Sequence, residues 1–116
     1  MYNLRIELSP KVFYNQPLGK SYLKVADLES CDPDIVLGQG FHNELASIWQ
    51  NGQDFVPNVV LFKGGKPDLD EYIDFESIFY GFNIPDKFRC WIMNDTGDTI
   101  ETFIVKNILE KDEYDS

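Results

Sequence analysis

The segment Phe88-Arg89-Cys90-Trp91-Ile92-Met93-Asn94-Asp95-Thr96-Gly97-Asp98-Thr99-Ile100-Glu101-Thr102-Phe103-Ile104-Val105 carries the plainest structural signal in the chain. Two runs rich in β-branched and aromatic residues, 88–93 and 99–105, flank a short polar loop. This pattern predicts a β-hairpin, with Asn94 to Asp98 built on a type I turn. Gly97 takes the left-handed position, which glycine adopts without a Cβ penalty. Phe88, Trp91, Ile92, Phe103 and Ile104 put apolar side chains on both faces of the hairpin, which places it inside a sheet.

Working outward, residues 2–8 alternate Tyr2, Leu4, Ile6 and Leu8 against Asn3, Arg5 and Glu7, the period of a half-buried strand, and Pro10 closes it. Lys11 to Tyr14 is a short β-like run, and Asn15-Gln16-Pro17-Leu18-Gly19 reads as a turn. Residues 21–28 suit either a strand or a helix, with a strand preferred. The apolar run Val59-Val60-Leu61-Phe62 within 56–63 suits a central strand whose start is limited by Pro57, and Lys63 to Pro67 forms a turn.

Two helices are expected. Asp32-Pro33-Asp34 has the residues of a helix start, although Gly38 and Gly40 weaken a helix crossing them. Phe41, Leu45, Ile48 and Trp49 then share one helical face, and Asn51-Gly52 ends it. Phe75, Ile78, Phe79 and Phe82 have helical spacing after Asp74 as N-cap, with Gly81 and Pro85 as stops. The charged end, 110–116, is expected to fray. The resulting fold class is α+β: one domain over 1–116, an antiparallel sheet of about four to six strands, and one or two helices packed on one face.

With 116 residues, 43% of them hydrophobic and 15% aromatic, the chain suffices for one core. It has no apolar run of membrane-spanning length. Met1-Tyr2-Asn3-Leu4-Arg5 lacks the pattern of a secretory leader, so the expected location is cytoplasmic, with Cys31 and Cys90 as reduced thiols. Twenty acidic residues face ten basic ones, a net charge of -10. Such a balance repels nucleic-acid phosphates and anionic lipid and attracts basic surfaces, so the expected partner is a basic protein.

Motifs that resemble catalytic or cofactor sites fail on their details. Gly19-Lys20-Ser21 ends like a phosphate-binding loop, but Tyr14 stands where its first glycine belongs. Gly38-Gln39-Gly40 has Asn43 in place of the third glycine of a dinucleotide fingerprint. Asp95-Thr96-Gly97 is the tripeptide of retroviral-type aspartic proteases, but Asn94 and Asp98 flank it and no glycine follows Gly97. Asp68, Asp70 and Asp74 have the start of a calcium loop, but Ile73 and Phe79 occupy its glycine and bidentate-acid positions. His42, the one histidine, lies on the polar side of its expected helix, and zinc needs more His and Cys than the chain has. No catalytic, cofactor or metal residue is therefore assigned, and the chain is not expected to be an enzyme.

What remains is an acidic and aromatic stretch, Asp68-Leu69-Asp70-Glu71-Tyr72-Ile73-Asp74-Phe75-Glu76, together with Asp95 and Asp98 of the hairpin loop. The candidate partner-binding residues are Asp68, Asp70, Glu71, Tyr72, Asp74, Glu76, Asp95 and Asp98. Carboxylates beside a tyrosine suit Arg and Lys, through charge pairing and cation–π contact. In size, acidity and aromatic content the chain resembles the small immunity proteins of bacterial toxin systems, contact-dependent ones included. That resemblance implies an inhibitor that neutralises a basic nuclease toxin domain by covering its active site. Two other classes fit an α+β domain: a small-molecule-binding or enzymatic domain with a pocket between sheet and helix, and a structural subunit of a phage or secretion assembly.

Overall fold

A computed structural model describes residues 1–26, 55, 57–68 and 70–107. Its strands are β1 (Tyr2–Ser9), β2 (Val12–Gly19), β3 (Tyr22–Val25), β4 (Val60–Lys63), β5 (Lys87–Met93) and β6 (Thr99–Lys106), and its helix is α1 (Phe75–Ile78). One sheet has four strands in the order β2-β1-β5-β6, and a second pairs β3 with β4. All named strand pairs are antiparallel.

The centre of the large sheet joins the two ends of the described chain. Leu4 lies opposite Ile92 and Ile6 opposite Cys90, and all four side chains are fully buried. Period-2 alternation sends Leu4, Ile6 and Leu8 of β1 and Phe88, Cys90 and Ile92 of β5 to one face. That face is the floor of the core. Phe55, Val59, Leu61, Ile73, Phe75 and Phe79 cover it. The Phe88 ring is the hub, with centroids 5.6 Å from Phe55, 5.5 Å from Phe75 and 4.7 Å from Phe79. Burial pushes the Cys90 thiol well above its ordinary pKa, so it stays protonated and inert as a nucleophile.

The hairpin loop is as the sequence predicts. Gly97 has φ +84° and its N–H donates to the Asn94 carbonyl at 3.1 Å. The Asn94 side-chain oxygen accepts from Thr96 N–H at 3.1 Å, Thr96 Oγ1 at 2.8 Å and Asp98 N–H at 2.9 Å. The hairpin is not wholly interior, however. β5 lies between β1 and β6, but β6 is an edge strand, with Ile100 and Ile104 exposed. Asn58 closes one end of that edge: its side chain accepts from Lys106 N–H at 2.8 Å, and its own N–H donates to the Lys106 carbonyl at 2.9 Å.

Three expectations need correction. Residues 15–19 are not a turn; β2 runs through them, with Pro17 opposite Asn3. β2 is an edge strand, where a missing ladder donor is tolerated. A register shift between Tyr2 and Asn3 leaves Leu18 unpaired along β2, and its side chain is buried. β4 is buried as a central strand would be, but it belongs to the small sheet, flanked by β3 and by a single bridge from Phe62 to Tyr72. The Asp74-capped helix is one turn long, and Phe82 lies exposed beyond it because the chain turns at Gly81, φ +88°.

The described residues are therefore mostly antiparallel β-sheet with very little helix: the single turn α1, whose Phe75 joins the cover over the sheet. The expected helices at 32–34 and 41–50, Cys31 and the tail at 110–116 lie outside the described residues. Among the described residues no helix is long and apolar enough to cross a membrane.

Phe88→Ala removes the ring that joins sheet to cover and is expected to cost about 3–5 kcal/mol, the usual range for a large buried aromatic. A fall in the urea midpoint with an unchanged slope checks it; a loss under 1 kcal/mol would show that the ring is not the hub.

Candidate functional site

The acidic–aromatic stretch follows a bend at Gly64, φ +99°, and returns along β4. Lys63 N–H donates to the Glu71 carbonyl and Ile73 N–H to the Leu61 carbonyl, both at 2.8 Å. Ile73 is thereby driven into the core and Tyr72 is left half-buried. Burial, and then the Asp74 charge, raise the Tyr72 hydroxyl above its ordinary pKa. It remains a neutral donor at physiological pH.

Most of the candidate carboxylates have local work. Asp68 Oδ1 accepts from Asp70 N–H at 3.0 Å and shapes the bend. Asp74 caps α1, accepting from Ser77 N–H at 3.3 Å and Ser77 Oγ at 2.8 Å. Glu71 lies 3.8 Å from Lys63 Nζ. Glu76 is half-buried in a shallow cleft beside Phe55, Phe79 and Tyr80. Asp95 pairs with the Met1 ammonium at 2.9 Å, and Asp98 accepts from Thr96 Oγ1 at 3.0 Å. Among the described residues no hydrogen bond or ion pair links the 68–76 group to Asp95 or Asp98.

Charge is unevenly distributed along the chain. Of the twenty acidic residues, ten are among the described residues, and they face nine of the ten Lys and Arg. The described residues are close to neutral. Residues 27–54 hold six acids (Asp27, Glu29, Asp32, Asp34, Glu44 and Asp54) and no Lys or Arg. Residues 108–116 hold Glu110, Asp112, Glu113 and Asp115 against Lys111.

A half-buried polar node links β3 to β6. Tyr22 donates its hydroxyl to Glu101 Oε1 at 3.1 Å, and Lys24 Nζ lies 3.0 Å from Glu101 Oε2. Lys24 also sits 5.0 Å above the Phe103 ring, and the Tyr2 ring meets Tyr22 edge-on at 5.1 Å. Desolvation first, then the hydrogen bond and charge of Glu101 and the neighbouring Tyr2, push the Tyr22 hydroxyl up to about 12.

The face of the large sheet opposite the core is the feature that motif reading passes over. Arg5 lies opposite Trp91 on β5 and Asn15 on β2, and Phe13 lies opposite Glu7. The Arg5 guanidinium stands 4.3 Å from the Phe13 ring centroid, and Phe13 meets Trp91 edge-on at 5.8 Å. Arg5, Phe13, Trp91, Met93 and Thr99 line an open depression of about 230 Å³. Lys87, Arg89 and Ile104 stand exposed on the same outward register. A sequence signal for this face exists. Lys87, Arg89, Trp91 and Met93 occupy alternate positions of β5, out of phase with the core residues.

None of the known protein families, curated proteins or solved structures compared with the chain matches it. Among the described residues no group of three or more His, Cys, Asp or Glu is arranged to hold a metal ion.

Because the folded Tyr22 is harder to ionise than an unfolded tyrosine near 10, the stability it contributes is complete below pH 10 and is lost as pH rises to about 12. Urea midpoints measured from pH 9 to 12 are expected to fall, and Tyr22→Phe to flatten that fall. An unchanged slope in the variant would remove Tyr22 from the pH response.

Proposed function

We propose that this chain is a cytoplasmic binding protein of the inhibitor or immunity type, which neutralises a basic protein, such as a nuclease toxin domain, by covering its active site. One observation carries the reading: the surplus negative charge is concentrated in residues 27–54 and 108–116, while the described residues are close to neutral. Concentrated charge creates a directional field, which speeds docking of an opposite surface and competes for a site that otherwise takes phosphate. A general solubility role would not require such segregation.

The stretch from Asp68 to Glu76 contributes secondarily in this reading. Asp70 is exposed and Tyr72 half-exposed beside it, so both can meet a basic rim, and Glu71 joins them by exchanging its 3.8 Å pairing with Lys63. Asp74 serves the fold first, since removing an N-cap costs about 1 kcal/mol.

The test is recovery of a bound protein from a lysate of the native host at low salt, followed by kinetics on the purified pair. The recovered partner is expected to be basic, and association to slow steeply between 50 and 500 mM salt, on the order of the screening expected for exposed charges. Neutralising Asp27, Glu29, Asp32 and Asp34 is expected to slow association more than Asp70→Lys with Glu71→Lys, and the latter pair to leave the melting temperature nearly unchanged. A salt-independent association rate, or an acidic partner, would refute electrostatic capture.

A further inference from the structure

We propose that the outer face of the four-stranded sheet, centred on Arg5, Phe13 and Trp91, docks an extended acidic segment of another protein. The residues of this face are distinct from the acidic segments 27–54 and 108–116.

The face is built for carboxylates. Contact with the Phe13 ring, whose centroid lies 4.3 Å from Cζ, restricts the Arg5 guanidinium. A fixed planar fork is the arrangement that binds carboxylate through two parallel hydrogen bonds. Among the described residues Arg5 has no ion-pair partner, and neither has Arg89. Lys87 extends the same row, and Glu7 is the one acid of β1 facing outward with Arg5. Charge complementarity therefore selects an acidic occupant.

The apolar groups select its form. Trp91 and Met93 wall the depression beside Arg5, and Ile104 stands 44% exposed two strands away from β1. An extended chain places alternate side chains on one side about 7 Å apart, the order of spacing between residues of like register along a strand. Acids at alternate positions of such a segment all face the sheet and meet Arg5 and Arg89, while the residues between them point away from it. The adjoining edge strand β2 presents Val12, Phe13 and Tyr14 in succession, each 38–40% exposed, a run that edge strands usually blunt with charge or proline.

Single-stranded nucleic acid fits less well. Base stacking needs open ring faces, and here one face of Phe13 is taken by Arg5 while Trp91 meets Phe13 edge-on. A polyphosphate must also approach a chain of net charge -10, whereas a short acidic segment brings few charges.

The experiment titrates the full-length, isotope-labelled chain with a seven-residue, end-blocked peptide alternating Glu and Val, and follows amide shifts by NMR. Controls are the same peptide with Lys in place of Glu, and a ten-nucleotide oligothymidine. The acidic peptide is expected to shift Arg5, Phe13, Trp91 and Met93 saturably, and the Lys peptide to leave them in place. Arg5→Gln is expected to weaken binding at least tenfold, and Arg5→Lys to restore part of it. Arg89→Gln, at an exposed position that leaves the core intact, is expected to weaken binding severalfold and decides the matter if Arg5→Gln does not fold. The proposal is overturned by the absence of saturable shifts, by equal response to the Lys peptide, by indifference to Arg89→Gln, or by tighter binding of oligothymidine at these residues.

Discussion

The fold depends on the pairing of β1 with β5. Four fully buried side chains, Leu4, Ile6, Cys90 and Ile92, lie opposite one another in two cross-strand pairs. The partners are separated by most of the described chain, so the pairing closes a long loop and must recover its entropy through the core it organises. It does so by presenting one apolar face, on which the aromatic cluster around Phe88 is assembled.

The same alternation that builds the core also creates the opposite face. A strand cannot bury Leu4 and Ile6 without turning Arg5 outward, or bury Cys90 and Ile92 without exposing Arg89, Trp91 and Met93 on the other side. The basic and aromatic surface is thus a geometric consequence of the core, and what is specific to this protein is the choice of residues there. A strand face intended only for solvent needs no Trp beside an Arg-stacked Phe.

Charge divides along the sequence. The described residues are balanced in charge, with a cationic row on the outer face, while the surplus acid belongs to residues 27–54 and 108–116. Total charge alone conceals this division, because -10 is a sum over regions of different character. Within the described residues, Asp68 and Asp74 accept from backbone N–H groups of a turn and a helix start. In a nearly neutral scaffold, carboxylates serve backbone donors that would otherwise lack partners.

Local chemistry made much of the β-structure legible from the sequence. The alternation of residues 2–8, the Asn94–Asp98 turn with Gly97 and the Asp74 cap depend on neighbours a few positions away, and each is found where the residues place it. Tertiary structure decided the rest. It made 15–19 a strand, because an edge position tolerates Pro17, and made β6 an edge although both its faces carry apolar residues. It also brought Arg5, Phe13 and Trp91 together from three strands, an arrangement that requires strand order and register, neither of which is encoded by any one segment.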